Sequence, residues 1–238
     1  MPINTYGQPV GDSLTDWKPA AMPTPHSLAG RFCRLEPLDA AKHYQALFEA
    51  HRLVADDRDW TYLPYDKPGT PSAMLDHLKK IQGYAGSVHF AATDAQTGKP
   101  LGSVALMRID ADSGVLEIGH VNWSPLMQRT SISTEAIFLL LQEAFDKLGF
   151  RRCEWKCDSL NAPSRAAAIR FGFEYEGTFR HAVVTKGRNR DTAWFSITSK
   201  TWPRIRAAFL SWLDERNFDA EGRQIRRLGD GLATGKPG

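Results

Sequence analysis

Strand-like and helix-like patterns of apolar residues follow one another along residues 31–217. Apolar side chains at every second position predict a strand, and a spacing of three and four predicts a helix with one buried face. The predicted strands are 31–37, 88–93, 101–109, 115–123, 152–158, 173–184 and 192–199. The predicted helices are 39–53, 72–84, 131–148, 161–172 and 202–216, with N-cap candidates at Asp39, Ser72 and Asn161. The order β-α-α-β-β-β-α-β-α-β-β-α predicts a mixed α/β fold.

The composition is ordinary for a globular protein and narrows the function classes. Of 238 residues, 42% are hydrophobic and 24% are charged, which excludes collagen, a disulfide-stapled miniprotein and a chain disordered throughout. A formal net charge of +3 is too small to predict nucleic-acid binding by itself. No apolar run approaches the ~18–20 residues that cross a bilayer, and no secretory signal is visible. Three cysteines are typical of a reducing compartment. We therefore expect a cytoplasmic protein with neither a membrane nor a nucleic acid as partner.

The patterned region defines the domain organisation. Residues 1–30 hold five prolines and three glycines and are predicted to form an extended N-terminal arm. Residues 31–217 are predicted to form one domain. Residues 218–238, rich in glycine and in charges of both signs, predict a flexible C-terminal tail.

The junction after the strand over 115–123 offers the clearest chemistry. Pro125 ends that strand, and a turn rich in hydroxyl groups leads into the helix over 131–148. The first amides of a helix have no partners inside it and, together with the helix dipole, favour an anion such as a phosphate. Arg129 adds a positive charge beside them. An ordinary strand–turn–helix connection is the alternative interpretation.

Three stretches of the chain carry a resemblance to a known family. They are 117–136, Asn161-Ala162-Pro163-Ser164 and Phe171-Gly172-Phe173-Glu174-Tyr175-Glu176-Gly177. In order and spacing they resemble the GNAT superfamily of acetyl-CoA-dependent N-acetyltransferases, over about residues 28–200. The resemblance is strongest to the branch that acetylates ribosomal-protein N-termini (RimJ/RimL type). It implies a central, mostly antiparallel twisted sheet, splayed at the cofactor cleft and flanked by helices.

The resemblance also implies a set of coenzyme-binding residues. The family's pyrophosphate loop, Gln/Arg-x-x-Gly-x-Gly/Ala, corresponds here to Gln128, Arg129, Thr130, Ser131, Ile132 and Ser133. Both small positions are serine, which keeps the amide donor but crowds the site relative to glycine. Val121 and Trp123 match the strand whose backbone bonds the pantetheine arm, although Trp123 also suits a plain core position. Asn161 matches an asparagine near that arm and equally suits a helix N-cap.

Acetyl transfer from a thioester to an amine requires a deprotonated amine, which calls for a general base. Glu117, on the strand that would line the cofactor, is the first candidate. A solvated or salt-bridged glutamate is the alternative. His120 is the second candidate, because imidazole titrates in the right range. The two lie three residues apart, so a regular strand would point them to opposite faces.

The departing thiolate can take its proton from an acid on the protein or from the amine itself. Many relatives use a tyrosine seven residues after the matched asparagine, where this chain has Ala168. Ser164 is therefore the candidate acid. A hydroxyl that only serves the first turn of a helix is the alternative.

The connection between the first two helices is predicted to wall the acceptor site. It contains Asp57, Trp60 and Tyr62, and acidic and aromatic groups suit a cationic amine. An aromatic-rich loop packed on its own sheet is the alternative. The turn over 180–191 could close the other side of the cleft.

The sequence thus predicts an N-acetyltransferase that moves acetyl from acetyl-CoA directly to a primary amine, on a protein N-terminus or a small molecule. Cys153 and Cys157 have no histidine cluster near them, so no metal is expected. The resemblance adds a homodimer as one option. A catalytically inactive sensor that binds coenzyme A, or a ribosome- or RNA-associated module, are the alternative functions.

Overall fold

The computed structural model describes residues 1–233, which form eight strands and six α-helices. The strands are β1 (Leu28–Ala29), β2 (Cys33–Pro37), β3 (Val88–Asp94), β4 (Pro100–Asp110), β5 (Val115–Trp123), β6 (Arg152–Asp158), β7 (Glu174–Thr185) and β8 (Arg188–Thr198). The helices are α1 (Ala40–His51), α2 (Pro71–Gln82), α3 (Ser131–Gln142), α4 (Ala162–Arg170), α5 (Trp202–Leu213) and α6 (Leu228–Ala233). The predicted order of elements is confirmed, with β1 and α6 added at the ends.

All eight strands form one sheet, in the order β1-β2-β3-β4-β5-β6-β8-β7. Every neighbouring pair is antiparallel except β5 and β6, which run parallel. These two strands pair only from Val115 to Glu117, opposite 152–154, and then separate. The expected fold, a mostly antiparallel sheet that splays and is flanked by helices, is confirmed.

Side-chain caps fix where the helices begin. The carboxylate of Asp39 accepts from the amides of Ala41 and Lys42 at the start of α1, as predicted. Helix α2 is different: Thr70, not Ser72, accepts from the amide of Ala73. A proline suits the first turn of a helix, where its missing N–H costs nothing, and Pro71 therefore lets α2 start one residue earlier than expected.

Helix α3 lies at the centre of the main core. Four of its apolar side chains are fully buried: Ala136, Ile137, Leu140 and Leu141. On the same helix the buried carboxylate of Glu135 accepts backbone N–H groups of Arg31, Phe32 and Cys33, at 2.9, 2.6 and 2.7 Å. Hydrogen bonds to a charged group are stronger than neutral ones. This carboxylate therefore ties the start of β2 to the helix that follows the predicted phosphate-binding turn.

Both terminal segments contact the domain. In the predicted arm, β1 pairs with β2, and Ala20 is buried. In the described part of the predicted tail, Leu228 is buried and α6 packs on α5. Residues 234–238 of that tail lie outside the described residues. None of the helices within 1–233 combines the length and the apolar character that a membrane crossing requires.

Candidate active site

The separation of β5 from β6 opens a gap in the middle of the sheet. On one side β5 stays paired with β4, where Asn122 is opposite Ser103 and Trp123 is opposite Gly102. On the other side no residue of β5 after Glu117 is paired with β6. Apart from the Trp123 carbonyl, which accepts from the side chain of Gln128, backbone groups along this edge can bond to an extended ligand as they would to an added strand. Val121 and Trp123 are both half-buried here.

The loop beyond β5 leads into the exposed start of α3. Thr130 is the N-cap, and its hydroxyl accepts from the amide of Ser133. Within residues 1–233 the amides of Ser131 and Ile132 have no hydrogen-bond partner. Arg129 adopts a left-handed φ of +60° and makes no ion pair with a described carboxylate. Two unpartnered amides, a helix dipole and a free guanidinium together suit a diphosphate.

One of the two serines that replace glycine, Ser133, turns its side chain away from the loop. The hydroxyl of Ser133 donates to the carbonyl of Thr130 at 2.9 Å, and its side chain is buried. It therefore turns back into the helix instead of crowding the loop. The side chain of Gln128 is held by two hydrogen bonds within the chain: its amide donates to the carbonyl of Trp123 and to Asp59, both at 3.1 Å. These bonds fix the conformation of the loop between β5 and α3.

Glu117 lies at the closed end of the gap and is 5% exposed. Its Oε2 is 3.0 Å from Nζ of Lys156 and 3.2 Å from Nε of Arg108, but it accepts no hydrogen bond of good geometry among the described residues. Burial raises the pKa of Glu117, while the positive charges of Lys156 and Arg108 act in the opposite direction. The alternative reading, a salt-bridged glutamate, therefore describes its contacts, while burial makes this carboxylate a stronger base than a solvated one.

Lys156 is itself buried and holds two carboxylates together. Its Nζ is 2.7 Å from Oε2 of Glu154 as well as 3.0 Å from Glu117. The same ammonium lies 3.7 Å from the centre of the Trp194 ring. Because a buried ammonium needs paired charges around it, this arrangement fixes the position of Glu117 from the β6 side.

The strand is irregular at His120. This residue has a left-handed φ of +49°, and the pairing of β4 with β5 shifts register beside it. Bulges of this kind redirect side chains. The His120 ring therefore packs against Tyr65, Tyr84 and His89, with Nδ1 3.3 Å from the Tyr65 hydroxyl. Burial and the charge of Arg108 lower the pKa of His120, which keeps the imidazole neutral.

Asn161 and Ser164 occupy the first turn of α4. The carbonyl oxygen of the Asn161 side chain accepts from the amide of Ser164 at 3.1 Å, so the predicted N-cap is confirmed. The hydroxyl of Ser164 accepts from Nε1 of the buried Trp155 at 3.0 Å. The same hydroxyl is a hydrogen-bond partner of the Cys157 side chain, which opposes the rise that burial causes in the pKa of that thiol.

Part of the segment that was predicted to line the acceptor site is buried in the protein core. The Trp60 ring is 2% exposed and packs against Tyr65 and two histidines, so here the alternative, a loop packed on its own domain, describes the residue. Tyr62 is half-buried, and the side chain of Asp57 is 76% exposed.

The two predicted walls of the cleft touch each other. At the tip of the hairpin formed by β7 and β8, Nζ of Lys186 donates to the carbonyl of Trp60 and pairs with Asp66, both at 3.0 Å. This hairpin turns in two residues, Lys186 and Gly187, with φ of +49° and +69°. The contact joins the connection between α1 and α2 to the far edge of the sheet.

A family model described as an acetyltransferase (GNAT) domain matches residues 33–174. This chain belongs to the GNAT acetyltransferase family. A GCN5-related N-acetyltransferase from Brucella melitensis is 44% identical, with a TM-score of 0.90 over 92% of this chain and 100% of that one. A GNAT-family protein from Chromobacterium violaceum is 40% identical, with a TM-score of 0.77 over 82% and 98%.

More distant structures add only the fold. A structure from Vibrio cholerae assigned to a ribosomal-protein-serine acetyltransferase is 20% identical, with a TM-score of 0.62 over 74% of this chain and 99% of that one. A comparison with proteins of curated function found no match. The chain is thus a GNAT acetyltransferase, an enzyme whose acceptor has to be inferred from its own residues.

Sequence reasoning missed the cations around Glu117. Glu154 and Lys156 lie on the same face of the predicted strand over 152–158, and this charged face was a signal that an ion-pair network could form there. The pattern does not identify Glu117 as the partner, because that depends on the parallel pairing of β5 with β6, which sets Glu154 opposite Glu117. Arg108 gave no such signal, because its approach to Glu117 depends on a left-handed φ of +48°.

Proposed function

We propose that this GNAT enzyme transfers the acetyl group of acetyl-CoA directly to a primary amine. The observation that carries the proposal is the gap beyond Glu117, which leads from a buried carboxylate to two unpartnered amides at the start of α3. The open edge of β5, from Ile118 to Trp123, would hold the pantetheine arm. The amides of Ser131 and Ile132, with Arg129, would hold the diphosphate. Acetyl-CoA supplies the activated acetyl group.

Glu117 is the proposed general base. Its buried carboxylate would accept the proton of the incoming ammonium, directly or through a water, and Lys156 and Arg108 would stabilise the ionised state between turnovers. His120, neutral and within reach of the Tyr65 hydroxyl, is the second candidate base. Ser164, whose hydroxyl accepts from Trp155 and neighbours the Cys157 thiol, is the proposed acid for the thiolate.

The finer assignments belong to the same proposal. The acceptor is the primary amine of a protein N-terminus or of a small molecule, in line with the resemblance to the branch that acetylates ribosomal proteins. A cytoplasmic location is supported by three buried, unpaired cysteines. A homodimer is supported by the resemblance alone.

A sensor that binds coenzyme A without turnover is less well supported. The serine-substituted loop and the absence of the tyrosine, replaced by Ala168, favour it, yet the hydroxyl of Ser133 points back to Thr130.

The test is an acetylation assay on the full chain with isotope-labelled acetyl-CoA and a panel of amines, including amino acids, polyamines and N-terminal peptides. Mass spectrometry identifies labelled products, and free thiol gives the rate. Amine-dependent thiol release with a labelled amide product supports the proposal. Tight binding of acetyl-CoA without turnover on the whole panel would support the sensor instead.

A further inference from the structure

A cavity of about 520 Å³ lies beside the candidate base. Its wall is formed by residues 84–87 after α2, by Met107–Ile109 of β4 and by His120 of β5. Arg108, in this wall, is the residue whose Nε is 3.2 Å from Oε2 of Glu117. Small-molecule sites typically have volumes of about 300–1,000 Å³. The cavity is therefore large enough for a small acceptor, and Arg108 connects its wall to Glu117, which lies behind the lining residues.

The backbone of this wall is shaped to aim two side chains. Arg108 and His120 have left-handed φ values of +48° and +49°, which cost energy for residues other than glycine. The pairing of β4 with β5 shifts register beside each of them. Bulges and strained residues concentrate at functional sites, where they redirect side chains. Two such positions in one cavity wall indicate a binding function.

The cavity carries one permanent charge, and it is positive. Among the lining residues only Arg108 is ionised at neutral pH, because burial and the nearby guanidinium lower the pKa of His120. The Arg108 side chain is 64% exposed, and within residues 1–233 its only ion pair is made through Nε. Its two terminal nitrogens are left to a ligand. The planar guanidinium fork matches the geometry of a carboxylate.

A carboxylate site and an amine site thus adjoin each other. Glu117 attracts the ammonium and receives its proton, and Arg108 is within ion-pair distance of the same carboxylate. An acceptor that satisfies both must carry its amine and its carboxylate only one or a few atoms apart. An α-amino acid has this arrangement. A polyamine would set a second cation against Arg108, and a peptide N-terminus has an amide where the carboxylate would bind.

We propose, on the basis of the acetyl transfer proposed above, that the acceptor is a free α-amino acid. Its carboxylate binds the terminal nitrogens of Arg108, its amino group lies at Glu117, and its side chain occupies the cavity against Met107 and Tyr84. Arg108 is then the residue that determines specificity for the acceptor. The apolar part of the wall favours an apolar side chain.

The experiment compares acceptors that share one side chain and differ at the carboxylate, with kcat/KM expressed per concentration of free amine, because the carboxylate, the amide and the plain alkyl chain give the amine different pKa values. Leucine, leucinamide and 3-methylbutylamine, with the same series for phenylalanine and methionine, are acetylated by the full chain under identical conditions. We expect kcat/KM for each amino acid to exceed that for its amide and amine by at least about tenfold, as the loss of a charge-assisted bond implies. Equal or better use of the amides overturns the amino-acid assignment and leaves acetyl transfer standing.

Variants separate recognition from effects on the base. Arg108→Gln should abolish the preference through KM for the amino acid, and Arg108→Lys should restore part of it. Because Arg108 also contacts the proposed base, the ratio is taken from rates per free amine, so that it reports recognition of the carboxylate. Arg223→Gln is the matched control, since that exposed arginine pairs with Asp219 and Glu221; it should keep the preference. A preference that survives Arg108→Gln overturns the role of Arg108.

Binding gives a readout that does not depend on turnover. By isothermal titration calorimetry, the wild-type chain should bind leucine at least about tenfold more tightly than leucinamide, and Arg108→Gln should remove the difference. If no amine of the panel is acetylated, the proposed function fails, and this comparison still decides the carboxylate site. Equal affinities for leucine and leucinamide overturn it.

Discussion

Replacing Glu117 by glutamine tests the proposed base with the least disturbance of its surroundings. The substitution keeps the size and shape of the side chain and removes its charge and its ability to take a proton. Lys156 does not become an unpaired buried charge, because its Nζ remains 2.7 Å from Glu154. Arg108 is largely exposed and returns to solvent. The variant is therefore expected to fold.

The structure sets the expected magnitudes. A general base typically contributes 10²–10⁴-fold to the rate, so kcat should fall by about 100-fold or more. Breaking a buried ion pair completely costs about 3–5 kcal/mol. Since Lys156 keeps one of its two carboxylates, the loss in free energy of unfolding should stay below about 3 kcal/mol. Affinity for acetyl-CoA should change little, because the proposed diphosphate site is at the other end of β5.

The assay measures thiol release under saturating acetyl-CoA, with affinity for the coenzyme and urea unfolding measured on the same preparations. Glu154→Gln is the matched control: it removes the other carboxylate of Lys156 and should leave kcat within about threefold of wild type, well short of a lost general base. Full activity in Glu117→Gln would refute the assignment of the base. Equal losses in both variants would show that the charge network matters and the base does not.

Three further predictions address the loop, the space beside the base and the buried histidines. Ser131→Glu should weaken acetyl-CoA binding at least about tenfold in a titration, because it sets a negative charge against the diphosphate. Unchanged affinity would show that the diphosphate does not bind at this loop. In Gly119→Ala, the new Cβ would meet the Met107 sulfur and lie 3.0 Å from a carboxylate oxygen of the candidate base, so kcat/KM should fall severalfold; full activity would show that this space is unused. Burial lowers the pKa of His51 and His89 to about 4, whereas unfolded histidine titrates near 6.5. Unfolding therefore takes up protons between these values, and stability measured in urea should fall as pH drops from 6.5 to 4, by on the order of 3 kcal/mol per histidine; a flat profile would contradict it.

Local patterns were sufficient for the order of the elements. Strand alternation, helical spacing and caps such as Asp39 and Asn161 act over a few residues, and the structure has them in place. The site depends on contacts between distant parts of the chain. The ion pair of Glu117 with Lys156 requires the parallel pairing of β5 with β6, which no local pattern specifies.

Backbone irregularities explain the rest of the difference. The regular alternation placed Glu117 and His120 on opposite faces, but the bulge at His120 depends on the register of β4 against β5. The burial of Trp60 likewise depends on how its loop folds over α2, where the Trp60 ring packs against His77. Such features follow from tertiary packing, which overrides local propensity.

A crystal structure of the full chain with bound coenzyme A tests the central claim most directly. We predict the diphosphate within hydrogen-bond distance of the amides of Ser131 and Ile132, and the pantetheine arm along the edge of β5 between Ile118 and Trp123. Coenzyme A found outside the gap between β5 and β6, or no binding at saturating concentration, would contradict the account.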